Sequence, residues 1–375
     1  MEDKRNFFLA LNMVKGIGAV RFKTLLDHFG DAEKAWKADE IQLRAAGLGP
    51  KVVESFLQTR ESMDFKRVAE ELAKQNVKAV TWEDAGYPRK LKEIEQSPPL
   101  IYMKGEVLPE DDWAIAVVGT RTVSPYGQQV AAELGAFLAH QGITVVSGLA
   151  RGVDSIAQQA ALKAGGRTIS VLAHGLDRVY PPENRALAED IVSNGALISD
   201  YALGVPPESS NFPPRNRIIS GLSTAVVVVE AGKRSGALIT AEFAANQGRE
   251  VFAVPGNIYA PQSKGTNRII SEGAHPLLNF EHLIEALDLE LMTMHKTARR
   301  ILPEDATEAK VYKLLSSEPM HVDDIGAQVE MPIDQLSSTL ALLELKGLVR
   351  QVGGMNFIVV REESAVYKTG TDQQN

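Results

Sequence analysis

The chain has no cysteine among its 375 residues. Disulfides, zinc–thiolate sites and thiol catalysis are excluded together, and the composition suits a reducing cytosol. No apolar run approaches 18 residues, so no transmembrane helix is expected. The opening segment MEDKRNFFLALNMVKGIGAV lacks a long apolar stretch and a small-residue cleavage site, which speaks against export and for a cytoplasmic protein. Several chemical signatures are also missing. There is no G-x-G-x-x-G, no Walker lysine motif and no G-x-S-x-G elbow, so dinucleotide, ATP and serine-hydrolase sites are not indicated. The seven histidines are scattered, and none forms H-x-x-x-H, so neither a metal nor a cofactor is expected.

A surplus of positive charge is lacking too. The net charge is −8, which on its face disfavours a polyanionic partner. Its distribution is uneven. Residues 1–80 carry 14 Lys/Arg against 12 Asp/Glu, residues 81–300 carry 20 against 24, and residues 301–375 carry 6 against 12. A nucleic-acid site would have to be a local basic patch in the first two segments, which short-ranged phosphate contacts permit.

What is present reads as three folded pieces. Residues 1–80 show helical apolar spacing in FFLALNMV, RFKTLLDHF and KVVESFLQT. Two Gly-hydrophobic-Gly turns, Gly16-Ile17-Gly18 and Gly47-Leu48-Gly49, suggest a helix-hairpin-helix or SAM-like all-α domain. Such turns either present backbone N–H groups to a phosphate, with Lys15, Arg21, Lys23 and Lys51 nearby, or simply close interhelical corners. Residues 81–104, rich in proline, read as a linker docking on the domain that follows.

Residues 81–290 as a whole form the second piece. From Trp113 on, strand-length apolar runs (WAIAVVG, TVVSG, TISVLAH, ALISD, TAVVVVEA, EVFAVPG) alternate with helical stretches. This predicts a Rossmann-like, doubly wound, mostly parallel α/β sheet whose strands are covered on both faces. Residues 304–362 read helix, helix, helix and two short strands, a winged helix, with Pro332 suited to a helix start and Gly353-Gly354 to a hairpin turn. Residues 363–375 are expected to be disordered.

Candidate binding residues cluster just after the strands, where ligands of such sheets sit. Gly119-Thr120-Arg121 follows the first strand and offers a close backbone approach, a hydroxyl and a guanidinium fork. Ser147, Gly148, Arg151 and Gly152 follow the second, with Asp154 expected to N-cap the next helix. The segment Asn211–Arg217 reads as a proline-stiffened loop. In it Phe212 can stack on an unpaired base, Asn216 can bond a base edge, and Arg215 and Arg217 can neutralise phosphate. The bland alternative buries Phe212 and pairs Arg217 with an acid such as Glu230. Ser235-Gly236 at a helix start, and Lys264 with Asn267, complete the rim. Asp177 is the best stray catalytic acid and reads as a loop-structuring residue.

Taken together, these motifs resemble the DNA-processing protein A (DprA/Smf) family. They are Gly-Thr-Arg (119–121), Ser-Gly-Leu-Ala-Arg-Gly-Val-Asp (147–154), Gly-Leu-Asp-Arg-Val-Tyr-Pro (175–181), Phe-Pro-Pro-Arg-Asn-Arg-Ile-Ile-Ser (212–220), Ser-Gly-Ala-Leu-Ile-Thr-Ala (235–241) and Gly-Thr-Asn-Arg-Ile-Ile (265–270). Thr120 stands where serine is common in the family, which keeps the hydroxyl. The resemblance implies single-stranded DNA binding without turnover, a homodimer through the sheet domain, and transfer of the strand to the recombinase RecA during natural transformation. It places Arg121 on one DNA-contacting loop, and Phe212, Arg215, Asn216 and Arg217 on a second. An alternative is a phosphoribohydrolase-like Rossmann enzyme. Its Pro-Gly-Gly-x-Gly-Thr loop is absent here, where the chain reads EAGKRSGALITAE. A transcriptional regulator is a third option. The third helix of the winged-helix segment has only Lys346 as a base-reading cation, and residues 304–363 carry 5 basic against 11 acidic residues, which opposes DNA binding there.

Overall fold

The computed structural model describes residues 4–286, 306–316, 319–329, 331–345, 349–352 and 354–359. The chain divides into two compact units, residues 1–287 and 288–375.

The first unit begins with six helices: α1 (Lys4–Met13), α2 (Ala19–Phe29), α3 (Ala32–Lys37), α4 (Glu40–Ala45), α5 (Pro50–Ser62) and α6 (Phe65–Lys74). Asp31, Asp39 and Asp64 start α3, α4 and α6 by accepting backbone N–H groups, the usual work of a short carboxylate at a helix N-terminus. The sheet follows: β1 (Lys78–Thr81), α7 (Arg89–Lys92), β2 (Leu100–Gly105), β3 (Ala114–Val118), α8 (Pro125–His140), β4 (Thr144–Ser147), α9 (Val153–Lys163), β5 (Thr168–Val171), α10 (Arg185–Ser193), β6 (Gly195–Ser199), α11 (Phe212–Gly221), β7 (Ala225–Val228), α12 (Ala237–Asn246), β8 (Glu250–Ala253), α13 (Lys264–Ser271), β9 (His275–Pro276) and α14 (Glu281–Ala286).

The nine strands lie in the order β1-β2-β6-β5-β4-β3-β7-β8-β9. From β6 to β9 all neighbours are parallel, while β2 runs antiparallel to both β1 and β6. Starting at β3, the chain steps outward through β4, β5 and β6, then returns to the other side of β3 as β7. The topological switch point is therefore between β3 and β7, the crevice where such sheets take ligands.

The expected α/β sheet is observed, with three further strands, β1, β2 and β9. Residues 78–105 hold β1, α7 and β2, so residues 81–104 are more than a linker and residues 1–80 are not helical throughout. Proline-rich flanks hid β2, and an antiparallel extension carries no βαβ signature. Strand β9, two residues long, also escapes pattern reading.

Burial explains the apolar runs. Successive residues of β2 and β6 alternate between two cores: Leu100, Tyr102 and Leu197 on one face, Ile101, Met103, Ala196 and Ile198 on the other. The first core is continuous with Phe7, Phe8, Leu11, Phe22 and Phe56 of the helices. Trp82 meets Phe8 and Phe22 edge-on. Tyr102 donates its hydroxyl to Asn12 Oδ1 at 2.9 Å. The N-terminal helices thus bury their apolar face against the sheet.

In the second unit the described elements are α15 (Ala306–Leu314), β10 (Met320–His321), α16 (Val322–Val329), α17 (Ile333–Leu345), β11 (Val349–Gln351) and β12 (Asn356–Val359). They form a winged helix with strand order β10-β12-β11. Only β10 was not expected. Lys346, Gly353 and residues 363–375 lie outside the described residues.

Candidate nucleic-acid interface

A cavity of about 460 Å³ opens at the switch point, walled by the loop after β3, the loop after β4, the first turns of α11, and the turn entering α12. Each wall is held by its own sequence. Thr120 N donates to Glu230 O at 2.7 Å, tying the β3 loop to β7. Ser124 caps α8, accepting from Gly127 N, and its own N–H and hydroxyl both go to the buried Glu230 carboxylate. The Gly-Thr-Arg turn is thereby pinned at both ends, and Arg121 projects from it into solvent. The Arg121 guanidinium lies 5.2 Å from the centre of the Phe212 ring. Among the described residues it has no carboxylate partner.

The β4 loop is shaped by two glycines. Gly152 has φ +80°, and a Cβ there would come within 2.3 Å of Thr120 O. At Gly148 the space a side chain would fill is taken by the Arg215 guanidinium, 2.7 Å from the ideal Cβ. Ser147 is buried and donates to Val117 O at 2.7 Å, joining β4 to β3. Arg151 is exposed on the rim and pairs with Glu183.

Two expectations are corrected in this region. Asp154 does not N-cap α9: Gly152 takes that position, and the buried Asp154 carboxylate accepts from Gly148 N at 3.1 Å. The segment Phe212–Arg217 is not a loop but the start of α11, with the prolines in the first turn, where a missing N–H costs nothing.

That helix decides where the predicted residues point. Arg215, Asn216 and Arg217 are all buried. Arg215 Nη1 donates to Gly148 O at 3.0 Å and to Val171 O, and Nε to Asn216 Oδ1 at 3.3 Å. Burial drives the Arg215 pKa down to about 10, with Asp154 opposing the shift. Burial also raises the Asp154 pKa, against Arg215 and the N–H groups of Ala150 and Gly148. Both groups are thus costly to charge, and each is the other's compensation. Asn216 Nδ2 donates to Gly236 O at 3.2 Å and lines the cavity. Arg217 turns away and pairs with Asp200 at 2.7 Å, so its acid is not Glu230. Phe212 is half-buried, 5.8 Å from the Arg215 guanidinium and 6.1 Å from the Tyr180 ring.

Ser235 and Gly236 stand at the entry to α12 on the cavity wall. Lys264 is exposed at the start of α13. Asn267 clasps Gly256, accepting from its N–H at 3.1 Å and donating to its O at 2.9 Å. Asp177 holds Gly204 N at 2.9 Å and pairs with Arg178, a loop-structuring role. The fold therefore gathers Gly119, Thr120, Arg121, Phe212, Arg215, Asn216, Ser235 and Gly236 around one cavity. Ser147, Arg217 and Asn267 are each engaged with protein partners. Arg234, directly before Ser235 in the same motif after β7, also lines the cavity and is exposed. No cluster of three or more metal-ligating side chains occurs among the described residues, and no helix among them is long and apolar enough to cross a membrane.

These features define a Rossmann-like protein with an arginine-lined switch-point cavity, joined to a winged helix. The chain belongs to the family of DNA recombination-mediator protein A (DprA/Smf), whose family model matches residues 78–288, with the DprA winged-helix domain matching residues 295–355. Protein Smf of Synechocystis is 35% identical over 95% of this chain and 98% of its own length. Protein Smf of Escherichia coli is 35% identical over 88% of this chain and 90% of its own. Among solved structures, DNA processing protein A of Streptococcus pneumoniae superposes with a TM-score of 0.66 at 32% identity, covering 75% of this chain and 97% of that one. That of Helicobacter pylori, solved for its single-stranded DNA binding mode, gives 0.51 at 31% identity over 57% of this chain and 97% of that one.

Proposed function

We propose that this protein binds single-stranded DNA along the switch-point cavity and its rim, without turnover, and passes the strand to RecA during natural transformation. It acts in the cytoplasm as a homodimer formed through the sheet unit. The observation that carries the DNA reading is a half-buried aromatic ring, Phe212, beside exposed cations, Arg121 and Arg234, that have no carboxylate partner among the described residues. Unpaired bases offer a π face and phosphates a charge, and this pairing of ring and cation suits both. The single-stranded DNA binding of the Helicobacter pylori relative supports the same ligand.

A gel shift with single- and double-stranded oligonucleotides at two salt concentrations, without metal or nucleotide, tests it. Single strands should bind far more tightly than duplex. Arg121→Ala should weaken binding and lower the salt slope by about 0.7. Lys34→Ala should do neither, because Lys34 is paired with Asp31 on a distant helix. Equal affinity for duplex would overturn the proposal, and unchanged binding by a folded Arg121→Ala protein would remove that residue from the site.

The winged helix is proposed to meet protein rather than DNA. Residues 301–375 carry six more acidic than basic groups, and α17 is mostly apolar and hydroxylic. Deleting residues 304–375 is expected to leave oligonucleotide affinity within a few-fold. A large loss, with the sheet unit still folded by circular dichroism, would show that this unit contributes to the DNA site.

A further inference from the structure

Beyond the cavity, the rim carries a feature that the switch-point site does not use. After β8 the chain turns sharply. Asn257 Oδ1 accepts from Tyr259 N at 2.8 Å, and Asn257 O accepts from Ala260 N at 3.0 Å. This turn lifts Ile258 and Tyr259 into solvent, 71% and 83% exposed. A tyrosine ring left almost wholly in water contributes little to folding. The turn is also firmly tied down. Tyr126 donates its hydroxyl to Pro255 O at 3.1 Å, Asn267 clasps Gly256 on both sides, and Gly265 N donates to Ala231 O at 2.7 Å.

The last of these bonds sets Lys264 against the Ala231–Gly232 turn, which leads through Lys233 into Arg234 on the cavity wall. Lys233, Arg234 and Lys264 are exposed and have no carboxylate partner among the described residues. Exposed cations therefore flank the backbone contact by which Pro261 and Gly265, just after the Tyr259 turn, meet the Ala231–Gly232 turn at the cavity wall. We propose that Tyr259 is a second stacking platform, taking an unpaired base of the same strand that fills the cavity, with Lys264 on an intervening phosphate. This rests on the single-strand reading above. Two features favour a strand as the occupant: continuity with the cationic rim, and a turn whose backbone is held on both sides. The turn's apolar display is only two side chains, small for a protein interface.

The test is fluorescence anisotropy of the full chain with labelled oligo-dT of about 6 and about 20 nucleotides, bracketing the usual site sizes. Tyr259→Ala should weaken the long oligonucleotide by about 5- to 150-fold and leave the short one unchanged. Tyr259→Phe should restore the loss, and the emission of a Tyr259→Trp protein should change with the long oligonucleotide only. Unchanged affinity at both lengths while the wild-type chain binds, or an equal loss at both, would overturn the proposal. So would a fall in self-association on sedimentation with unchanged affinity, which would give the turn to a second copy. A wild-type chain that binds neither oligonucleotide would instead overturn the single-strand reading, and this proposal with it.

Discussion

Replacing Arg215 by methionine is expected to lower the stability of the sheet unit by about 3–5 kcal/mol, the usual result of removing one partner from a buried charge pair. The buried Arg215 side chain forms part of the cavity wall, donates to the carbonyls of Gly148 and Val171, and compensates Asp154. Methionine fills much of the volume but leaves the Gly148 and Val171 carbonyl oxygens without their donor and the buried Asp154 carboxylate without the nearby positive charge. For a domain of this size each kcal/mol moves the melting temperature by about 2–4 °C, so a fall of roughly 6–20 °C is expected. The double variant Arg215→Met, Asp154→Asn should regain part of the loss, because the uncompensated charge is gone. A drop below about 1 kcal/mol for the single variant would mean that water reaches the pair.

The pH dependence follows from the same two groups. Asp154 holds its proton more tightly in the fold than in the unfolded chain, so its contribution to stability falls as pH rises through the carboxylate range. Arg215, lowered to about 10, releases its proton earlier in the fold, so its contribution rises with pH above about 10. Function enters through the loop. Arg215 fixes Gly148, the same loop brings Gly152 against Thr120 O, and Thr120 precedes the exposed Arg121. A residue that reads as a phosphate ligand in the sequence acts in the fold as an anchor for the loop beside Arg121.

How much of this was legible depends on whether the signal was local. Strands β3 to β8 announce themselves as unbroken apolar runs because both faces are covered. The glycines and hydroxyls after them mark the rim because strand ends are where such sheets bind. Burial of Arg215 and Arg217 was not legible. Arginine is mostly exposed in proteins, and the acids that permit its burial come from elsewhere in the chain, Asp154 from the first turn of α9 and Asp200 from the end of β6. Pro213 and Pro214 misled in the same way. Two prolines suggest a loop until the fold shows them in the first turn of α11, where they suit a helix. Tyr259 is not legible in the sequence because a single aromatic in a turn carries no periodicity, and its 83% exposure appears only with the fold.

The other large effect is expected at Phe212, and it is read in binding. The ring is neither core nor free. It is half-buried at the cavity mouth, with Arg121 and Arg215 at 5.2 and 5.8 Å from its centre. A fully buried phenylalanine cut to alanine loses about 3–5 kcal/mol of folding stability; Phe212→Ala should lose well under that, because part of the ring already faces water. Affinity for a single-stranded oligonucleotide should fall by about 1–3 kcal/mol, or roughly 5- to 150-fold. Arg121 is exposed, so its guanidinium can yield to an incoming base and move to the neighbouring phosphate. Arg215 is locked to Gly148 and Val171 and cannot. The ring therefore has one fixed cationic neighbour and one exchangeable one. Phe212→Leu separates stacking from mere bulk: it keeps apolar volume at the cavity mouth and should still lose most of the affinity. A thermal melt and an oligonucleotide titration on both variants decide the matter. A melt lowered by more than 10 °C with affinity retained in the folded fraction would make Phe212 a packing residue and leave Arg121 to bind without it.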